Sequence, residues 1–351
     1  MGLDQFKKHI LKAYQAGVSD VILKASEPPR VRIGGQLRRI ADLDFGGLEV
    51  STIAREVLGT KEWEEFRVAR QTRLMLAISD DLKIRIHFGY DRDRIFITCR
   101  LLPAEVRSWI SLEIPKLALN FLDRKQGLVL VSGPLNSGKT STLASFTEYL
   151  NTERRQHIIV IDELIEHQIK SKSCIVNLRQ VQTDTHSYTT ALRFALREDP
   201  DILVIGNVTG EASAQIALNI AETGHLVIAG IATTGSLNTI RRFLNCFPAA
   251  ELEGARLQLS AYLIGILSQV LVPDTRLASK VPVFEIMTIT PSISNLIRMD
   301  KMNQLQAEFS RSVKGVSQCF DDSAKDLIQA GKISPDIRRL TSWSDSLTDP
   351  Q

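Results

Sequence analysis

The chain is poor in cysteine, in net charge and in long apolar runs, and each shortage removes a class of function. Its four cysteines, Cys99, Cys174, Cys246 and Cys319, are scattered without a C-x-x-C pair. Neither a disulfide framework nor a zinc knuckle is indicated, and a reducing cytoplasm is the default expectation. Forty-three basic against 40 acidic residues leave a formal net charge of +3, too little to point to nucleic acid or to an acidic surface. The longest apolar stretch, Ala261–Val272, is interrupted by Ser268 and Gln269 and is too short to cross a bilayer. No direct membrane insertion is expected, and any membrane association would run through a partner. Met1–Gly17 alternates charge with apolar residues at helical spacing, which is not the pattern of a signal peptide. No internal repeat is found. With 44% hydrophobic and 24% charged residues in 351, the chain has the composition of a globular protein of two domains or one large one.

The strongest positive signal is Gly133-Pro134-Leu135-Asn136-Ser137-Gly138-Lys139-Thr140, followed by Ser141. It fits the phosphate-binding pattern G-x-x-x-x-G-K-[ST] at every fixed position. An apolar run, Leu128–Val131, precedes it, and Leu143, Phe146 and Leu150 follow on one face of a helical pattern. Strand, loop and helix in that order are the context the motif requires. Successive backbone N–H groups then form an anion nest at the positive end of a helix dipole. Lys139 would reach the β- and γ-phosphates of ATP, and the Thr140 hydroxyl would ligate Mg²⁺. ATP or ADP with Mg²⁺ is therefore the expected cofactor set.

Around this loop the patterns read as α/β. Residues 1–103 form a small α+β module. In it Leu3, Phe6, Ile10, Leu11 and Tyr14 line one helix face, Asp20–Lys24 alternates like a strand, and Arg30–Ile33 and Gln36–Ile40 flank a Gly34-Gly35 turn. A second hairpin runs from Lys83–Phe88 to Ile95–Arg100 across Asp91-Arg92-Asp93. Pro103 opens a linker over 104–115, and 116–340 forms the core. There the strand patterns Leu128–Val131, Ile158–Ile161, Ile202–Ile205 and Leu226–Ile231 interleave with helices, as in a parallel sheet covered on both faces. From Ala250 onward the pattern reads as helical, and residues 341–351 as a polar tail.

Several segments resemble the type IV pilus retraction ATPases, the PilT-like branch of the type II/IV secretion ATPases. They are Gln126–Pro134, Ala191–Ile202, Ala221–Val227, Ser294–Arg298, Ser19-Asp20 and the Pro28–Ile40 hairpin. The resemblance covers nearly the whole chain. It implies a PAS-like N-terminal domain joined to a RecA-like P-loop NTPase core with C-terminal helices, assembled as a hexamer. It also implies a peripheral place at the inner membrane, reached through a platform protein of the pilus. Arg85 and Arg100 match arginines that in the family reach a neighbouring subunit's nucleotide. A solvated hairpin face is the plain alternative for them. Asn295, Leu296, Ile297 and Arg298 match a helix tied to retraction, or else an ordinary amphipathic stripe. His225 matches half of a histidine box and is assigned beside the site. His87, His157, His167 and His186 lack ligand spacing and are assigned to the surface. Glu198, Asp199 and Asp201 read as a solvated turn, with Mg²⁺ coordination or a subunit contact as the functional option.

Three positions depart from the family, and all concern hydrolysis. Asn207 follows Gly206 where the family has a glutamate, and an amide cannot take a proton from water. Ala232 stands where a histidine precedes paired threonines. Asp162-Glu163-Leu164-Ile165-Glu166 replaces an acidic box containing proline, and its leading carboxylate is one methylene shorter. The resulting expectation is a subunit that binds nucleotide and hydrolyses it slowly or not at all, as a regulator or in mixed rings with an active paralogue. The alternatives are an active hexameric retraction motor, with Glu163 or Glu166 as the base, and a DNA-dependent RecA-like protein, which the charge balance disfavours.

Overall fold

The computed structural model describes residues 2–25, 27–34, 36–39, 49–80, 82–103, 105–276, 280–311 and 315–336. The expected turn residue Gly35, the strand end Ile40, the linker residue Ala104 and the tail 341–351 lie outside them. The chain divides into two compact units, the first ending at Glu105 and the second beginning at Val106.

In the first unit, α1 (Leu3–Gln15), β1 (Asp20–Lys24), β2 (Arg30–Ile33), β3 (Gln36–Arg38), α2 (Val50–Ala69), β4 (Gln71–Ser79), β5 (Leu82–Asp91) and β6 (Arg94–Pro103) follow in order. The strands form a six-stranded sheet in the order β3-β2-β1-β6-β5-β4, antiparallel at every pairing. Alternation decides which face is buried. Leu82, Ile84, Ile86 and Phe88 of β5 and Ile97 and Cys99 of β6 turn inward and pack with Phe6 and Ile10 of α1 and Ile53 and Phe66 of α2. The β5–β6 turn places Arg92 and Asp93 at φ +46° and +61°, the left-handed pair a two-residue hairpin demands.

The second unit contains α3 (Lys116–Leu119), β7 (Gly127–Ser132), α4 (Lys139–Glu153), β8 (His157–Asp162), β9 (Ile175–Gln180), α5 (Tyr188–Ala195), β10 (Ile202–Ile205), α6 (Glu211–Glu222), β11 (Leu226–Ile231), α7 (Ser236–Leu244), α8 (Leu252–Tyr262), β12 (Leu263–Pro273), β13 (Lys280–Thr288), α9 (Pro291–Arg298), α10 (Met302–Ser310) and α11 (Phe320–Gln329). Its seven-stranded sheet runs β13-β12-β7-β11-β10-β8-β9. All pairings are parallel except β12 with β13. β7, β10 and β11 are buried along their whole length, as strands covered on both faces must be. Phe146 and Leu150 of α4 share one hydrophobic cluster with Phe121 and Val129. Residues of α5 to α10 share another with Leu128, Leu130, Leu203 and Ala229 on the opposite face.

The helical reading after Ala250 is corrected here. The helices α8, α9, α10 and α11 lie in this stretch, but Leu263–Pro273 and Lys280–Thr288 between α8 and α9 are the antiparallel strands β12 and β13. A strand buried on both faces is a continuous apolar run with no period of its own, and β-branched Ile and Val decide it.

Candidate functional site

Parallel strands in register bring the residues that follow them to one edge. Ser132 pairs with Ile231, and Ile205 with Ile161. The loop 133–138, Asp162, Gly206-Asn207 and Ala232–Thr234 therefore converge at the carboxyl ends of β7, β8, β10 and β11, where open α/β sheets bind ligands.

The loop is shaped by its glycines. A methyl group on Gly133 would lie 2.4 Å from both Gln269 O and Ser137 Oγ, and Gly138 holds φ +89° at the start of α4. Lys139 Nζ donates to the carbonyls of Gly133 and Pro134 at 2.7 and 2.8 Å. Burial lowers its pKa, so the ammonium is a poorly hydrated cation held over the loop. The Ser137 hydroxyl is buried with no hydrogen-bond partner, as expected of a group awaiting a ligand. From below, Gln269 of β12 clamps the loop. Its Nε2 donates to Ser137 O, and its Oε1 accepts from Thr142 Oγ1, both at 2.7 Å. Next to it, Ser268 Oγ accepts from Gly235 N–H at 2.8 Å. The two polar residues that interrupt the apolar run are thus the fastenings of the site, one on each face of β12. Their only trace in the sequence was that interruption.

Asp162 lies at the end of β8, directly over Gly206. A methyl group on Gly206 would come within 2.1–2.3 Å of the carboxylate atoms. Burial pushes the Asp162 carboxyl up to about 6, against the opposing effect of the Glu163 N–H, which donates to Oδ1 at 2.7 Å. Asp162 shares a cavity with Thr140, Glu166, His167 and Gly206, whereas Glu163 is exposed. Beside it, Tyr188 donates to Ile161 O at 2.9 Å and accepts from Asn207 N–H at 3.2 Å, pinning the segment after β10 to the end of β8. The Asn207 Oδ1 is buried with no hydrogen-bond partner. Sequence reasoning missed Gln269, Ser268 and Tyr188.

Other expectations are redistributed. His225 precedes β11, and its carbonyl accepts from Gly127 N–H at 3.0 Å. It therefore sits at the opposite end of the sheet from the loop, roughly 17 Å away at 3.3 Å per residue. It is not part of this edge. Asp201 is also at that far end, capping His157 N–H at 2.8 Å, so it is not placed to meet a cation held by Thr140. Glu198 is paired with Arg179 at 2.9 Å. His87 and His186 are exposed, whereas His167 is half-buried. It walls the Asp162 cavity with its Nδ1 buried and unpartnered. On α9, Ile293 and Ile297 are buried, while Arg298 donates to Asn295 Oδ1 at 2.6 Å on the solvent side. Arg85 and Arg100 face each other across β5 and β6.

Among the described residues no group of three or more His, Cys, Asp or Glu could hold a metal ion, and no helix is long and apolar enough to cross a membrane. The Thr140 hydroxyl in the first turn of α4 and the loop before it fit a cation that arrives with phosphate oxygens rather than one held by a protein cage.

A sheet of this order with a glycine-lysine-threonine loop leading into α4 defines a RecA-like P-loop nucleoside-triphosphatase core. The family model described as type II/IV secretion system protein matches residues 4–328, and the chain belongs to that family. It is 34% identical over 323 residues to the type IV pilus retraction ATPase PilT of Pseudomonas aeruginosa, covering 92% of this chain and 94% of that protein. It is 26% identical to the type IV pilus ATPase PilU of the same organism, covering 94% and 86%. Among solved structures, the pilus retraction motor PilT with bound ADP superposes with a TM-score of 0.86 at 33% identity, over 99% of both chains. The Legionella pneumophila ATPase DotB shares the fold, with a TM-score of 0.84 at 20% identity over 97% and 95%.

Proposed function

We propose that the chain is an ATP-hydrolysing subunit of a pilus-retraction machine. The observation that carries this reading is the Asp162 carboxylate, buried over Gly206 in the cavity that Thr140 also lines. ATP would lay its phosphates in the nest of loop N–H groups, and Lys139 would exchange the Gly133 and Pro134 carbonyls for phosphate oxygens. Mg²⁺, held at the Thr140 hydroxyl, would supply charge neutralisation along the phosphate chain. With its carboxyl near 6, Asp162 is mostly ionised at neutral pH and basic enough to take a proton from a water attacking the terminal phosphorus. ADP then departs with the leaving oxygen, and the Asn207 amide helps to hold the water. The likeness to the ADP-bound retraction motor supports the same assignment of ligand and machine.

A second reading, nucleotide binding with slow or absent turnover, is favoured by Asn207 and Ala232, neither of which can accept or relay a proton. Steady-state ATPase measurement separates the two. The motor reading expects turnover in the parent and a loss of about 100-fold in Asp162→Asn. The idle-site reading expects negligible turnover in the parent and a large gain in Asn207→Glu combined with Ala232→His.

The machine context follows the family. The first unit is read as a PAS-like domain whose Arg85 and Arg100 reach the nucleotide of a neighbour. The subunits form a hexameric ring, homomeric or mixed with a paralogue, at the cytoplasmic face of an inner-membrane platform. The planar, permanently charged guanidinium forks of Arg85 and Arg100 suit phosphate oxygens. Arg85→Ala should weaken ATP affinity in the assembled ring and leave that of a dilute monomer unchanged.

A further inference from the structure

Among the described residues, Glu285 is the one acidic or basic residue that is buried as a whole, at 9% exposure. It lies on β13 directly opposite Ser268, so the two share a face of the β12–β13 hairpin. Its Oε1 accepts from Ser236 N–H, the first residue of α7, at 2.5 Å. The carboxylate also accepts from the backbone N–H of Phe320, the first residue of α11. One buried carboxylate thus caps two helices, a favourable place for negative charge at each.

The two helices lead to different places. α7 begins directly after Thr233-Thr234-Gly235 at the phosphate edge. Gly235 is held on both sides, its N–H by Ser268 Oγ and its carbonyl by the Thr239 hydroxyl at 2.7 Å. Thr239 Oγ1 lies 2.8 Å from Ser132 Oγ and can accept that hydroxyl's proton, and Ser132 is the residue before Gly133. In the other direction, α11 is tied along the same edge strand. Phe284 N–H donates to Ser323 Oγ at 3.1 Å, and Ile286 exchanges bonds with Gln318 at 2.8 and 2.9 Å. Hydrogen bonds and one peptide link therefore connect Ser132–Thr239–Gly235–Ser236–Glu285–Phe320, all buried except the half-buried Gly235.

We infer that Glu285 is a positioning residue that makes the N-terminal turn of α11 respond to occupancy of the phosphate loop. Any shift of Ser132 or of the Thr233–Gly235 turn moves the Ser236 N–H that Glu285 holds. Because the carboxylate is shared, that movement alters its hold on Phe320. Rewiring one member of such a polar network is felt by the others. The inference rests on the nucleotide reading above, and its test separates the two.

Amide hydrogen exchange is followed at residues 133–142 and 320–329 with and without saturating Mg-ADP. The full-length parent, Glu285→Gln and Thr239→Val are compared. Both substitutions keep side-chain shape; the first removes one cap and the charge, and the second cuts the chain on the loop side while leaving Glu285 in place. The expected result is that ADP slows exchange at least threefold in both segments of the parent. In the variants it protects 133–142 to within twofold of the parent but no longer slows 320–329. Protection of the loop without any response of α11 in the parent overturns the inference and leaves the nucleotide reading standing. A response of α11 that survives in both variants also overturns it. Absence of loop protection in the parent removes the nucleotide reading, and the inference falls with it.

Discussion

The carboxylate of Asp162 occupies the space that a side chain at residue 206 would need: a methyl group there would lie 2.1 Å from the Asp162 carboxyl carbon. The glycine is required by this close approach and not by its backbone angles. Gly206→Ala should expel the carboxylate from the edge of the sheet, cost about 1–3 kcal/mol in stability as an overpacked core site does, and reduce ATP turnover far more than ADP affinity. Chemical denaturation and steady-state kinetics on one preparation would check it; a variant with parental turnover would show that Asp162 does not need this seat.

The same carboxyl should leave a mark on pH-dependent stability. It titrates at about 6 in the folded chain against 3.8 when unperturbed. Between those values the folded state holds a proton that the unfolded state has released. Its contribution is therefore fully favourable below about pH 4 and is lost as pH rises through 6. Asp162→Asn should match the parent at pH 4 and exceed it at pH 7.5 by up to roughly 3 kcal/mol, at 1.36 kcal/mol per tenfold in proton affinity. Urea titrations at the two pH values measure the difference, and a gap that does not widen with pH refutes it.

Lys139 donates to two loop carbonyls, but burial disfavours its ammonium, and the two effects largely offset in the fold. Lys139→Ala should unfold within about 1 kcal/mol of the parent yet bind ADP at least 100-fold more weakly. Calorimetric titration is the measurement, and retained affinity would exclude this lysine from phosphate binding.

Gln269 is the opposite case. Gln269→Leu keeps the volume but leaves the Ser137 carbonyl and the Thr142 hydroxyl without their partner. Each unpaired buried group costs about 1–3 kcal/mol, so thermal or urea unfolding should reveal a loss of several kcal/mol. ADP affinity should fall as well, since the loop loses its support from β12. An unchanged midpoint would mean that water replaces the amide.

Much of the fold was legible because its signals are local. The phosphate loop, the strands at 158–161, 202–205 and 226–231 and the hairpin across Arg92-Asp93 each announce themselves within a dozen residues. What escaped was long-range. β12 carries no alternation because both its faces are buried, so its Ser268 and Gln269 read only as flaws in an apolar run. A buried carboxylate such as Glu285 has no sequence signature at all, since its partners are backbone N–H groups 49 and 35 residues away. His225 was misplaced for a geometric reason. Residues that follow parallel strands gather at one edge, and those that precede them gather at the other. Proximity in sequence to β11 could not say which.

The strand that feeds the phosphate loop is not at the rim. β7 is paired with β12 on one side and β11 on the other, and β7 itself is wholly screened from solvent. The floor beneath the nucleotide is therefore the stiffest ground in the unit, where local opening costs most. A response to a nucleotide held there is left to the margins: the stretch after Asp162 that leads to the outer strand β9, and the helix laid along the other outer strand, β13.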